Sequence, residues 1–311
     1  MKVLTIVLVA ILIGAACCLG SEQYTEEGYK QVNGVAHFYR IVGEGEPFIL
    51  LHGGPGMYHD ELYPFFLDFA RDHRVIFYDQ RGNGRSTMAA IDSTTFTVDL
   101  MVDDLEGLRQ AFGIDKLNII GHSWGGLLAM YYAANYPDNV QRLITVCAAP
   151  VNTDLLIKCY ENQITRFEAD EWTYLQGLWE SEAYRAGNPD THNEAMRLSE
   201  GVLFFDQKFV DPYMDAASFT EKTARNAVAL EDLARGMKQN ITVQESLSRI
   251  SCPTLIVAGR QDFIVPEAPQ LAHELIADSE VVWIEESGHY PYIEKPYAFF
   301  EALNAFVART K

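Results

Sequence analysis

Cysteine and basic residues are scarce in this 311-residue sequence. Beyond residue 20 the cysteines are Cys147, Cys159 and Cys252, an odd number without a framework spacing, which argues against a disulfide scaffold. The 24 Lys and Arg residues stand against 43 Asp and Glu residues, a formal net charge of −19. This charge makes nucleic acid and an anionic membrane surface unfavourable partners and favours cationic or amine-bearing ligands.

The patterns that signal metal or dinucleotide binding are also missing. No group of Cys and His residues has metal-ligand spacing, and Gly82 and Gly84 lack the rest of a dinucleotide fingerprint. We therefore predict neither a metal nor a cofactor.

The one long apolar run lies at the N-terminus, where Lys2 precedes residues 3–16. A bilayer span needs about 20 apolar residues, so this run is short for a membrane helix and is typical of an export signal. We predict a signal over residues 1–20 and an exported protein, periplasmic or secreted. Cleavage near Gly20 and a lipid anchor at Cys17 or Cys18 both remain open.

Apolar strand patterns alternate with helical patterns along most of the chain, and apolar residues make up 48% of it. This alternation predicts an α/β fold with a mostly parallel central sheet and helices on both faces. The predicted strands are residues 48–51, 75–78, 117–120, 140–147, 254–258 and 281–284.

The strand pattern disappears between residues 150 and 242. Aromatic and acidic helical stretches replace it, including residues 155–179 and 195–205, with breaks at 187–189 and 211–212. We interpret residues 150–242 as a helical cap inserted into a core formed by residues 21–149 and 243–311.

A strand meets a helix at Ser123. The apolar residues 117–120 lead into Gly121, and an apolar helical pattern follows at 127–133. Gly121 and Gly125 flank the serine where a Cβ would collide with the neighbouring strand and helix. This arrangement is a nucleophile elbow, in which a strained turn pushes the serine Oγ outward.

A serine hydroxyl needs a base, and in this architecture the acid and then the histidine follow the serine in the chain. His289 comes after the predicted strand 281–284, on a loop at the carboxyl end of that strand, where such sheets hold their reactive groups. His192 lies in a polar stretch and His273 inside a helical repeat, so we predict that His289 is the base.

The acid is predicted in the same way. Asp262 turns out of the carboxyl end of the predicted strand 254–258 and is expected to orient the base. Asp154, just past the strand that follows the elbow, is the alternative.

Two further strands end in glycine-rich loops. Residues 48–51 run into residues 52–56, His-Gly-Gly-Pro-Gly, which predicts the N–H of Gly54 as one oxyanion donor beside the N–H of Trp124. In the loop after residues 75–78, we predict that Asp79 and Arg81 form an ion pair bracing the oxyanion loop.

Together these motifs resemble the proline iminopeptidase family of α/β-hydrolases, over residues 25–150 and 245–310. The matching segments are His52-Gly53-Gly54-Pro55-Gly56, Asp79-Gln80-Arg81-Gly82-x-Gly84-x-Ser86, Gly-x-Ser123-Trp124-Gly, Gly-Arg-x-Asp262 and Gly-His289-x-x-x-x-Glu294-Lys295-Pro296. One residue departs from the family pattern: His122 stands where well-known members carry glycine.

The resemblance implies a substrate with a free N-terminal amine. In that family glutamates of the cap recognise the α-ammonium, and carboxylates do so by charge-assisted hydrogen bonds. Among the cap glutamates we predict Glu180, which follows Trp179, and Glu200, which lies beside aromatic residues.

The sequence thus predicts an exported serine hydrolase that releases an N-terminal residue from short peptides or amides. A carboxylesterase or lactonase with the same triad is the alternative within catalysis. A non-catalytic binding protein that kept the fold is the alternative outside it.

Overall fold

The computed structural model of the protein describes residues 26–238 and 241–310. The predicted export signal, with Cys17 and Cys18, lies outside the described residues. Among the helices of the described part, none has the length and apolar character needed to cross a membrane.

The described residues form one sheet of nine strands in the order β1-β2-β4-β3-β6-β7-β8-β9, with β5 paired to β2. The strands are β1 Glu26–Val32, β2 Val35–Val42, β3 Pro47–Leu51, β4 Arg74–Tyr78, β5 Thr87–Met88, β6 Leu117–His122, β7 Val140–Val146, β8 Thr254–Gly259 and β9 Ser279–Ile284. Strand β2 pairs antiparallel with β1, β4 and β5. Across the rest of the sheet, β4, β3, β6, β7, β8 and β9 are parallel neighbours in that order.

The sheet separates two apolar clusters because successive side chains of a strand point to opposite faces. Ile120 belongs to one cluster and its neighbour Ile119 to the other. Strands β6 and β8 are buried along their whole length, as expected for parallel strands covered on both faces.

Helices cover both faces of the sheet: Phe299 and Leu303 pack into one cluster, and Leu105 and Leu127 into the other. The helices are α1 Val98–Ala111, α2 Trp124–Asn135, α3 Thr153–Ile164, α4 Ala169–Glu180, α5 Glu182–Arg185, α6 Pro189–Gly201, α7 Val210–Ala217, α8 Glu221–Lys238, α9 Glu267–Leu275, α10 Pro291–Glu294 and α11 Pro296–Arg309. The predicted fold class, a mostly parallel sheet with helices on both faces, is confirmed.

Between β7 and β8, the described residues form helices α3 to α8 and two 3₁₀ helices, without a strand. The stretch predicted at 155–179 is two helices, since Glu168 and Glu171 form a capping box that starts a new helix at Ala169. The predicted break at 211–212 is wrong. Pro212 lies in the first turn of α7, where the helix does not need its missing N–H.

The carboxyl ends of β3, β6, β8 and β9 lie along one edge of the sheet because these strands are parallel neighbours or share a neighbour. The loops that follow these four strands carry the predicted catalytic residues. This edge is where open α/β sheets bind their ligands.

Candidate active site

Ser123 occupies the turn between β6 and α2 with a backbone φ of 53° and ψ of −119°. A non-glycine residue with positive φ is strained, and the surrounding hydrogen bonds hold it there. The N–H of Ser123 donates to the carbonyl of Val146 at 2.9 Å, and its own carbonyl accepts from Ala149 at 2.9 Å. Only glycine fits beside it, because a Cβ on Gly121 would lie 2.3 Å from the carbonyl oxygen of Gly125.

His289 and Asp262 form a buried pair. His289 Nδ1 lies 2.9 Å from Asp262 Oδ1 and 3.1 Å from Oδ2, and both side chains are almost completely buried. Burial alone would lower the pKa of His289, but the charge and hydrogen bond of Asp262 outweigh it, so the pKa lies above its usual value.

The alternative residues lie elsewhere. Asp154 is exposed in the first turn of α3. His273 is exposed on α9, with Nδ1 2.9 Å from the hydroxyl of Ser279. His192 is buried in α6 and stacks on the ring of Tyr184 at 4.5 Å.

The oxyanion loop follows β3 and is held by His52. His52 Nδ1 donates to the carbonyl of Gly53 at 2.8 Å, and Nε2 accepts from the N–H of Gln80 at 3.0 Å. These two bonds require the neutral imidazole, in agreement with a pKa that burial lowers. The carbonyl of Gly53 and the N–H of Gly54 belong to one trans peptide, so His52 fixes the direction in which the Gly54 N–H points.

Gly54 itself has a φ of 110°, and a Cβ there would lie 2.9 Å from the backbone nitrogens of Gly56 and Met57. A side chain is therefore excluded at this position. The neighbouring N–H groups are engaged, since Gly53 donates to Glu61 and Gly56 donates to Asn83 Oδ1 at 2.6 Å.

Gln80 joins the oxyanion loop to the elbow. Its side-chain amide donates to the carbonyl of His52 at 2.6 Å and accepts from the indole N–H of Trp124 at 3.1 Å. Neither His52 nor Gln80 was predicted to have a role, although both lie within two residues of the carboxyl end of a buried strand.

The predicted ion pair between Asp79 and Arg81 is wrong. Arg81 forms two hydrogen bonds of 2.8 Å with the carboxylate of Asp104 on α1. Asp79 instead pairs with His59 Nδ1 at 2.7 Å. The planar guanidinium matches a carboxylate that it can bind with two nitrogens, and α1 offers that carboxylate in the buried interior.

Ser123, His289, Gly54 and Trp124 line one cavity of about 790 Å³. Three glutamates, Glu61, Glu200 and Glu231, line it as well. The segment between β7 and β8 contributes an aromatic wall comprising Tyr160, Phe167, Trp172, Trp179, Tyr184 and Phe219.

The two predicted cap glutamates differ in position. Glu200, on α6, lines the cavity and accepts a hydrogen bond from the hydroxyl of Tyr290. Burial raises the pKa of Glu200 above its usual range. Glu180 is the exposed last residue of α4 and does not line the cavity, so its prediction is corrected; its neighbour Trp179 faces the cavity instead.

Among residues 26–238 and 241–310, one group of three side chains has metal-ligand atoms within 4.8 Å of one another: Cys147, Asp262 and His289. These atoms already have partners within the protein. Cys147 Sγ accepts from the N–H of Gly259 at 3.4 Å, and Asp262 holds His289.

Known proteins resemble this chain in sequence and in fold. Residues 46–296 match the family model for the alpha/beta hydrolase fold. A proline iminopeptidase from Saccharolobus solfataricus is 30% identical over 294 residues, covering 91% of this chain and 92% of the relative. A proline iminopeptidase from Heyndrickxia coagulans is 30% identical over 296 residues, covering 91% and 99%.

Solved structures show the same fold. The structure of an alpha/beta fold family hydrolase from Bacillus anthracis str. Sterne superimposes with a TM-score of 0.73 at 19% identity, covering 93% of this chain and 100% of that one. The sequence match and the shared architecture lead to one assignment. The chain belongs to the proline iminopeptidase family of α/β-hydrolases, and it is a serine hydrolase.

Proposed function

We propose that this protein is an aminopeptidase of the proline iminopeptidase type, which releases an N-terminal residue from short peptides or amides. The observation that carries the proposal is a partly buried carboxyl group, Glu200, in the cavity that Ser123 and His289 also line. A peptide substrate with a free amine brings a cation to this carboxyl group. The curated relatives named as proline iminopeptidases support the same substrate class.

In the proposed reaction, Ser123 Oγ attacks the carbonyl carbon of the first residue while His289 Nε2 takes the hydroxyl proton. Asp262 holds the imidazole by Nδ1 and stabilises the imidazolium. The tetrahedral oxyanion accepts hydrogen bonds from the N–H groups of Gly54 and Trp124. Losing one such donor typically costs about 3 kcal/mol of the barrier.

The C–N bond then breaks as His289 returns the proton to the leaving amine. Water, activated by the same imidazole, hydrolyses the acyl-enzyme and restores Ser123. No cofactor enters this sequence of steps.

Glu200 gives the reaction its specificity for a free amine. Its ionised form is disfavoured by burial, so a substrate ammonium that arrives beside it restores a counter-charge. An N-acetylated substrate or a simple ester brings no such charge. Both are therefore expected to bind without this interaction.

The test compares prolyl and other aminoacyl amides with their N-acetylated forms and with acetyl and butyryl esters. We expect the free-amine amides to have the highest kcat/KM. Faster hydrolysis of simple esters or lactones than of every free-amine amide would assign the protein to the carboxylesterase or lactonase class. Failure of a fluorophosphonate probe to label Ser123 would favour the non-catalytic binding protein.

We also propose that the protein is exported, on the basis of the apolar run at residues 3–16. The mature chain from the native host is then expected to begin near Ser21, or as a lipidated chain at Cys17 or Cys18. Intact mass and N-terminal sequencing distinguish these forms. A cytoplasmic product that retains residues 1–20 would contradict both.

A further inference from the structure

His122, directly before Ser123, lies between two catalytic segments. Its ring is buried, with Nδ1 3.2 Å from Glu61 Oε1 and Nε2 3.0 Å from the backbone carbonyl oxygen of His289. The ring centroids of His122 and His289 are 4.7 Å apart. The residue that departs from the family pattern at the elbow is therefore in contact with the loop of the proposed base.

Glu61 extends this contact to the oxyanion loop. It ends the 3₁₀ helix His59–Glu61, is 2% exposed, and accepts a hydrogen bond from the N–H of Gly53 through the same Oε1 that faces His122. One carboxylate oxygen thus joins the oxyanion loop to the elbow. Through His122 the connection continues to the backbone of His289.

The hydrogen-bonding groups around His122 determine where the protons lie. A carbonyl oxygen only accepts, so Nε2 must donate to His289. Nδ1 faces a carboxylate oxygen that already accepts from Gly53, so this bond requires a proton between Nδ1 and Glu61. Burial would raise the pKa of Glu61, but its hydrogen bond and charge interaction with His122 outweigh burial and lower the pKa.

The pair therefore shares one proton between His122 Nδ1 and Glu61 Oε1 in a buried position. The aromatic rings of Tyr290 and Tyr292 also pack against His122, with ring centroids 5.2 and 5.4 Å from that of His122. With one proton shared between the two side chains the pair has no net charge, so it connects the segments without adding charge beside His289.

We propose that Glu61 and His122 are a positioning pair that fixes the oxyanion loop relative to the backbone of His289 during acyl transfer. The inference rests on the proposed roles of Ser123, His289 and Gly54. The pair touches the segments that carry these groups and does not itself react. Its effect is expected chiefly on kcat, because the geometry at the reacting atoms changes while the rest of the cavity lining is retained.

The first test measures kcat, KM and the rate of labelling by a fluorophosphonate probe in His122→Ala and Glu61→Leu. A misplacement of about 1 Å can cost up to about 10²-fold in rate, so we expect kcat and the labelling rate to fall roughly 10- to 100-fold with little change in KM. The double variant should fall no further than the poorer single variant, because the two side chains act as one unit.

Glu61→Gln is the conservative variant. It keeps the side-chain length and an oxygen that accepts from Gly53, but it removes the carboxylate that faces His122 Nδ1. We expect a loss of labelling rate intermediate between wild type and Glu61→Leu. This variant tests the pair even if His122→Ala does not fold.

The chain offers a matched control in His37. It is also fully buried between a carboxylate and a carbonyl, with Nε2 3.3 Å from Asp104 Oδ2 and Nδ1 3.2 Å from the carbonyl oxygen of Asp79. It lies on β2, which β4 and β3 separate from the elbow. His37→Ala should reduce thermal stability about as much as His122→Ala while the labelling rate stays near that of wild type.

Equal labelling rates in the His122→Ala and His37→Ala proteins, or additive losses in the double variant, would overturn the positioning role. A wild-type protein that the probe does not label would overturn the proposed triad and this inference together. A wild-type protein that is labelled but prefers esters would overturn only the aminopeptidase proposal, since the probe carries no amine.

Discussion

Glu294 Oε2 accepts a hydrogen bond of 2.6 Å from the backbone N–H of Gly288, the residue before His289. The other oxygen, Oε1, accepts from the N–H groups of Phe205 and Asp206 at 2.8 and 2.9 Å. A single buried carboxylate therefore ties the loop of the proposed base to the segment that follows α6. This anchor joins the segment between β7 and β8 to the core beside the site, as does the hydrogen bond from Tyr290 to Glu200.

Replacement of Glu294 by alanine is expected to destabilise the protein and lower its activity. Three backbone N–H groups lose their acceptor, and the buried one, that of Gly288, costs about 1–3 kcal/mol when it is left unsatisfied. Urea unfolding and kcat of the variant measure both effects. The control is Glu286→Ala, which removes an exposed ion pair of 2.6 Å with Lys295 in the same region and should cost at most about 1 kcal/mol. Equal destabilisation by the two variants would contradict the anchoring role.

Replacement of Ser123 by alanine is expected to abolish hydrolysis and leave the fold intact, because the turn tolerates a smaller side chain. Asp262→Asn should lower kcat by about 10⁴-fold, since the amide cannot hold His289 in the required tautomer. Asp154→Asn is the control, because Asp154 is exposed on α3. Turnover numbers with circular dichroism of each variant check these outcomes. A larger loss of kcat in Asp154→Asn than in Asp262→Asn would identify Asp154 as the acid.

Glu200→Gln is expected to weaken hydrolysis of a free-amine substrate far more than that of its N-acetylated or ester counterpart. Loss of a charge-assisted hydrogen bond costs roughly 1.5–3 kcal/mol, or about 10- to 150-fold in kcat/KM. Glu180→Gln serves as the control, since Glu180 is exposed outside the cavity. If Glu200→Gln lowers kcat/KM by the same factor for amine and ester substrates, the carboxylate does not recognise the ammonium.

On the acid side of the pH profile, the midpoint at which kcat/KM has fallen to half is expected to lie above the usual histidine pKa of about 6.5. His289 acts as a base only when neutral, and its pKa is raised because the effect of Asp262 exceeds that of burial. Activity should therefore fall as pH drops through this raised pKa. The profile of kcat/KM for an ester substrate, which has no titrating amine, gives the midpoint. A midpoint clearly below 6.5 would show that Asp262 does not stabilise the imidazolium.

The parallel strands β3, β4, β6, β7, β8 and β9 were predictable because strands buried in a parallel sheet form short, continuous apolar runs. Strands β1, β2 and β5 were not predicted. The residues of β1 are mostly polar and exposed, so its sequence carries no such signal. The helix boundary at Glu168 was missed for a similar reason, since a local cap and not a change in hydrophobicity starts α4.

The candidate site divides in the same way. Ser123, Asp262 and His289 could be singled out because each follows a recognisable strand and the order of the three matches one architecture. The pairing of Asp79 with Arg81 and the position of Glu180 were wrong, because both depended on the direction of side chains in loops and at a helix end. Contacts such as His122 to Glu61 join residues 61 positions apart and follow no local pattern.

The sequence by itself determined most of the alternating strands and helices, the turn at Ser123 and the loops that carry the proposed catalytic residues, because local apolar periodicity and glycine spacing act over a few residues. Only the tertiary structure decided which carboxylates reach the cavity. It also decided that Glu61 and His122 connect the oxyanion loop to His289, and that Glu294 anchors Gly288. Each of these contacts depends on the packing of segments that are distant in the chain, where burial selects the partner that satisfies the hydrogen bonds.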